Sequence, residues 1–350
     1  MKKCILAGCD LHDRNMLVLA GRGSDTAQKR TFSNTADGRK ALLHWLRELA
    51  AGAEIIFAYE ASGLGFGLYD ELTGAGVRCH VLAPSRLERS PQQRRNKTDE
   101  KDARQILGVL RGHFLAGNEL PSIWIPDALT RDDRELLRTR LDVQGKCSKV
   151  KTQIRTLLKR NGVTRPTGAG AGWTKAYRGW LKTLSECDEP LASGARSSLA
   201  CLMRQMELLE EEVRMLDRAV QALCKSPRYE RRVKALVALA GVGWLTAVVF
   251  LTEMGELSRF KNRRQVAAFL GLAPSAFESG EANDRKGRIT RQGPARVRHV
   301  LCQAAWNCVR GDPHEQKLYE RIVTKNPKKK KKALVATMRR LAIRMWHVAA

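Results

Sequence analysis

The chain has 350 residues, 43% of them hydrophobic, and carries 63 Lys and Arg against 36 Asp and Glu, a formal net charge of +27 at pH 7. Such an excess implies a polyanionic partner, because each phosphate neutralised by Lys or Arg releases a counterion and adds sequence-independent affinity. No apolar run is long enough to span a bilayer, and the nine cysteines form neither a CxxC pair nor a Cys/His quartet, so a membrane protein, a disulfide framework and a structural zinc site are excluded.

The opening "MKKCILAGCDLHDR" is no secretion signal, since its short apolar run is broken at Asp10, and a soluble cytoplasmic protein is expected. From there the pattern alternates. "KCILAGCDLH" reads as a strand ending in Asp10, and "NMLVLAG" and "QKRTFSN" continue it as a meander. "TADGRKALLHWLRELAAG" reads as a helix with Thr35 as N-cap and Gly52 as its stop. "EIIFAYEAS" and "RCHVLAP" are strands, each followed by a helix, "GFGLYDELTGAG" and "DEKDARQILGVLRG". The order β-β-β-α-β-α-β-α predicts an α/β domain over residues 1–125.

Residues 126–228 differ in kind. Arg131 to Gly162 and Ser197 to Ser226 are long, charged, Pro-free segments that predict two helices. Leu202, Met206, Leu209, Val213, Leu216 and Val220 recur at three- and four-residue steps, the stripe of a helical hairpin or of a coiled coil. Either a core face within one chain or an oligomer seam satisfies it. Residues 229–350 read as mostly helical. A helix is expected to stop at Gly241 and another to start near Leu245, with Gly243 in the turn. Gly-x-Gly between helices suits a helix-hairpin-helix whose free N–H groups face a phosphate, and it equally suits a C-cap glycine with a short turn. The run Lys328, Lys329, Lys330, Lys331 and Lys332 before the last helix is a candidate phosphate contact or a solvated face.

Four acids stand at telling places in the first domain. Asp10 and Glu60 end two apolar strands, and Asp99 and Asp102 lie in the first turn of the last helix. Burying unpaired carboxylates is costly, and cations remove that cost. Hard oxygen ligands on a first strand, a central strand and a late helix suit two Mg2+ ions, or Mn2+ in their place, clamping the attacking and leaving oxygens of a phosphodiester. The ribonuclease-H fold has this arrangement and this strand order. Asp99 or Asp102 taken singly also suits a helix N-terminus without any metal.

Read together, "DLH", "YEAS", "NKTDEKDA" and "FLGLAPSAFESGEANDRKGRITRQGPARVRHVL" resemble the DEDD insertion-sequence transposases over nearly the whole chain. The resemblance implies a RuvC-like domain over 1–125, a helical or coiled-coil oligomerisation region over 126–228, and a C-terminal transposase domain over 229–350. It implies that Asp10, Glu60, Asp99 and Asp102 hold the metal, and that Ser279 in "FESGE" attacks the scissile phosphate to form a covalent phosphoserine. Ser-Gly is first of all a turn signal, and Ser275 is the nearest competing nucleophile. Arg94, Arg95, Lys97, Lys286, Arg288, Arg291 and Arg296 become candidate nucleic-acid contacts, most of them positioning the backbone.

The same resemblance implies donor and target DNA, a noncoding bridge RNA as guide, and a dimer that becomes a tetramer in the nucleoid of a bacterium or archaeon, its acids and serine joined in cis or in trans. No GxxxxGK[ST] motif is present, which agrees with strand exchange driven by the phosphoserine bond rather than by ATP. Two rivals stand beside this reading: a RuvC-like Holliday-junction nuclease in which water attacks, and a non-catalytic basic DNA- or RNA-binding protein.

Overall fold

A computed structural model describes residues 4–87, 98–276, 286–325 and 327–350. The chain divides into two compact units, Met1–Ile125 and Pro126–Ala350.

In the first unit, β1 (Cys4–Leu11), β2 (Asn15–Arg22) and β3 (Gln28–Ser33) form an antiparallel meander, while β4 (Glu54–Glu60) and β5 (Arg78–Leu82) run parallel to β1. The strand order is β3-β2-β1-β4-β5, a mixed α/β sheet consistent with a ribonuclease-H-like start. The central strands β1 and β4 are apolar on both faces because helices cover both. Ile5, Ala7, Cys9, Phe57 and Tyr59 pack with Leu42, Trp45 and Leu46 of α1 (Ala36–Ala50) and with Leu68 and Leu72 of α2 (Gly67–Gly74). Leu6, Ile56 and Ala58 face the other way, against Ala103, Ile106, Leu107 and Leu110 of α3 (Asp99–Ala116).

The cap expected at Thr35 is present, and a second, not expected from the sequence, stands at Thr98. Thr35 Oγ1 accepts the Gly38 N–H at 3.2 Å, and Thr98 caps α3 by accepting from Lys101. The stop of α1 falls one residue early, on Ala51 at φ 47°, with Gly52 following.

Gly8 decides how closely α3 approaches the sheet. A Cβ there would lie 2.4 Å from the Leu107 amide nitrogen and 2.6 Å from the Ala103 carbonyl oxygen, so the strand and helix backbones are in direct contact. No larger residue fits without moving the helix.

In the second unit, α4 (Ala128–Arg160) starts at an Asp127 cap that also accepts from Arg228, tying the helix start to the chain that follows α6 (Ser193–Cys224). The two long helices run antiparallel. Leu137 near the start of α4 shares a core with Val220 and Cys224 at the end of α6, whereas Ile154 and Leu157 meet Leu199 and Met203. The stripe expected from the sequence is thus used inside the chain at Leu202, Met206, Leu209 and Val220.

Helix α5 (Lys175–Glu186) joins them through Glu210, which accepts from Arg178 Nη2 at 2.9 Å and pairs with Lys151 Nζ at 2.7 Å. Burial pushes the Glu210 carboxyl up, and the bonds from Arg178 and Lys151 outweigh it, holding it down to about 2. A carboxyl depressed in the folded state adds stability above its unfolded pKa and loses it as the pH falls through the folded value. Glu210→Gln is therefore expected to lower stability at pH 7 by about 1–3 kcal/mol. The gap to wild type in thermal melts should narrow as pH falls from about 4.3 towards the folded value.

Among the described residues, the rest of this unit is mostly helical, with one antiparallel strand pair: α7 (Glu230–Val237), α8 (Trp244–Met254), α9 (Arg263–Phe269), β6 (Pro274–Ala276), β7 (Lys286–Ile289), α10 (Ala295–Gly311), α11 (Pro313–Lys325) and α12 (Lys330–Ala349). Helix α8 is buried from Thr246 to Met254 at the centre of the core. The helix expected to reach Gly241 ends at Val237 instead, and the chain turns before α8. Gly241 at φ 82° seats this turn on α10, where a Cβ would lie 2.5 Å from the Ala304 carbonyl oxygen and from the Cys308 nitrogen. Positive φ and close packing require glycine at 241. Gly243 is exposed and precedes α8 with open space at its Cα. Among the described residues no helix is long and apolar enough to cross a membrane.

Candidate metal centre and nucleic-acid contacts

Parallel pairing of Cys9 with Tyr59 makes Asp10 and Glu60 the next residues on adjacent strands. Because Cys9 and Tyr59 point to the α1–α2 side, alternation sends Asp10 and Glu60 to the α3 side. There the first turn of α3 presents Asp99, Glu100 and Asp102. Asp10, His12 and Asp99 each offer a ligand atom, and these atoms lie within 4.8 Å of one another. His12 Nε2 is 3.0 Å from Asp10 Oδ2 and 3.4 Å from Asp99 Oδ1.

Burial raises the Asp10 carboxyl above its ordinary range; His12 works against that shift, and the charges of Asp102 and Asp99 add to it. Asp102 is buried and acts on Asp10 electrostatically, while Glu60, half-buried at its strand end, lies outside the three-residue group. Glu100 is turned to other work, pairing with Lys29 at 2.7 Å and Arg104 at 2.9 Å. The donor set is hard carboxylate oxygen plus one imidazole nitrogen, and the crowding of like charge on Asp10 is what a divalent cation relieves. These residues fit such an ion.

His12 is the member that sequence reasoning did not single out. It sits two residues after Asp10, in the turn just past the end of β1. An open cleft of about 730 Å³ adjoins it, lined on one side by His12, Arg14 and Asn15 and on the other by Ser62, Gly63 and Leu64.

The C-terminal candidates are dispersed. Ser279, Arg94, Arg95 and Lys97 lie outside the described residues. Ser275 sits in β6 and its hydroxyl donates to the Arg288 carbonyl at 3.0 Å, across the antiparallel β6–β7 pair. Lys286 and Arg288 belong to β7. Arg291 adopts φ 57°, unusual for a residue with a Cβ, and its N–H bonds the Gly271 carbonyl at 3.1 Å. Arg296, a candidate nucleic-acid contact, gives its guanidinium to both oxygens of Asp142, at 3.1 and 2.9 Å. Arg298 pins the same region by donating to the Leu270 and Gly293 carbonyls. Lys328 and Lys330 are exposed around the start of α12, and the backbone of Lys329 lies between them.

Comparison with known proteins follows these two regions. Residues 7–161 match the DEDD transposase profile of IS110 type, and residues 233–320 match the profile described as Transposase IS116/IS110/IS902 family. A Sinorhizobium fredii protein named as a transposase, y4qE, is 29% identical over 294 residues, covering 84% of this chain and 68% of the relative. The transposase for insertion sequence element IS1533 of Leptospira borgpetersenii is 24% identical over 310 residues, 87% and 86% of the two chains. The pilin gene-inverting protein of Moraxella bovis is 29% identical over 133 residues, 37% of this chain and 41% of that one. With the acid-bearing unit and the C-terminal helical region each matched by a profile of the same family, the chain belongs to the IS110/IS116 family of DEDD transposases.

Proposed function

We propose that this insertion-sequence transposase cuts and rejoins DNA through a phosphoserine on Ser279, with divalent cations held by Asp10, Glu60, Asp99 and Asp102. The observation that carries the metal part is the convergence of Asp10 and Asp99 on one imidazole, with Asp102 near enough to act on Asp10. Mg2+ or Mn2+ bound there supplies Lewis-acid polarisation of the scissile phosphate.

The Ser279 hydroxyl attacks phosphorus, its Oγ–P bond forms, and a P–O bond to deoxyribose breaks as that oxygen takes up a proton. A hydroxyl of the partner strand then attacks the phosphoserine, restoring the serine and sealing the new strand. Each bond broken is replaced by another phosphoester, so no nucleotide cofactor enters. Ser275, whose hydroxyl is engaged with a backbone carbonyl, is the poorer nucleophile of the two. Arg288, Arg291, Lys328 and Lys330 grip the backbones of donor and target DNA, and a noncoding bridge RNA selects the sequence by pairing. The relatives' names, transposases and pilin-gene inverters, support DNA as substrate. The working form is a dimer that becomes a tetramer on paired DNA sites.

The test is a denaturing gel of wild type, Ser279→Ala and Ser275→Ala incubated with the element's end DNA, its flanking noncoding RNA and Mg2+. A protease-sensitive DNA shift is expected in wild type and Ser275→Ala and is expected to vanish in Ser279→Ala. Cleavage without a shift in wild type would replace this reading with the water-dependent nuclease.

A further inference from the structure

We infer that His12 is a nitrogen ligand of one cation at this centre and makes that position selective for Mn2+ over Mg2+. This rests on the metal reading of the acids given above. Two features of His12 carry it.

The first is spacing. Ligands bound cis on an octahedral ion at about 2.1 Å stand about 3.0 Å apart, and tetrahedral ligands stand about 3.4 Å apart. His12 Nε2 lies at such separations from both Asp10 and Asp99. The nitrogen thus stands at ligand-to-ligand distance from both carboxylates.

The second is bracing. The His12 N–H donates to the Asn15 carbonyl at 2.9 Å, and the His12 carbonyl accepts from Asn34 Nδ2 at 2.8 Å. Asn34 is itself locked, since its Oδ1 accepts from Arg39 Nε at 2.9 Å and Nη2 at 2.8 Å, and its N–H bonds the Arg14 carbonyl at 2.8 Å. The backbone of the turn carrying His12 is held from both sides, so little backbone ordering remains when the imidazole coordinates.

The selectivity follows from ligand chemistry. Carboxylate oxygens serve Mg2+ and Mn2+ alike. Mg2+ takes oxygen ligands and keeps its waters, whereas a first-row transition ion gains from imidazole.

The experiment uses the full chain with Mn2+ alone, then with Mg2+ as competitor. Electron spin-echo modulation on the Mn2+-loaded wild type is expected to show a directly bound nitrogen, absent in His12→Ala and in His12→Gln, both checked for wild-type circular dichroism. Mn2+ affinity is expected to fall about tenfold or more in both variants, with Mg2+ affinity changed by less than about threefold. Bound Mn2+ without nitrogen coupling in wild type would overturn the inference and leave the acids as ligands. An equal loss of both ions in the variants would make His12 a positioning residue for Asp10 and Asp99, which also overturns it. No Mn2+ bound to wild type at all would remove the metal reading itself.

Discussion

Asp10→Asn is expected to lower strand cleavage by at least about a hundredfold while leaving DNA affinity and its salt dependence within about twofold of wild type. The substitution keeps the shape of the side chain and removes one oxygen ligand at the end of β1. Asp10 is held above its ordinary range by burial and by Asp102 and Asp99, with His12 opposing, so its negative charge is disfavoured without a cation. The same crowding fixes the sign of a second effect: without metal, the Asn variant should melt at a higher temperature than wild type, because one of three crowded charges is gone. In the proposed reading binding is carried by basic residues, which the change does not touch. Cleavage on a radiolabelled end fragment, with fluorescence anisotropy across a salt series, separates the two. Retained strand exchange in Asp10→Asn would refute the metal assignment.

Gly8→Ala is expected to destabilise the chain by about 1–3 kcal/mol and to abolish most cleavage, although residue 8 touches no substrate. Its added methyl meets backbone atoms of Leu107 and Ala103, which cannot rotate away as a side chain can. Helix α3 must lift from β1, and Asp99 and Asp102 at its start move with it. Gly108→Ala on the same helix is the control. Residue 108 is exposed, has open space at its Cα and has no positive φ, so alanine should raise stability by about 1 kcal/mol. Thermal melts of both variants, paired with the cleavage assay, would show opposite signs. Equal behaviour of the two glycines would mean that α3 is not held against β1 as described.

Much of the first unit was legible in the chain itself. Apolar runs bounded by turn residues marked its five strands, Thr35 marked the start of α1, and acids at strand ends stood out as candidates before any geometry was known. These signals are local. A strand's period of two and a helix cap both act within a few residues, so they survive in one dimension.

Other features belong to the tertiary structure alone. That His12 rather than Glu60 closes the tightest group with Asp10 and Asp99 depends on how the turn after β1 meets the start of α3. That Arg296 bonds Asp142 depends on bringing together two residues 154 apart in the chain. That Gly241 serves packing against Ala304 and Cys308 follows from where α10 lies. Periodicity and spacing gave the α/β start and the helical remainder and put acids at strand and helix ends, and the motifs carried a resemblance to the family; which side chains those acids meet was decided by distances that exist only once the backbones are packed, because charge pairing and backbone contact fall off within a few ångströms and have no period along the sequence.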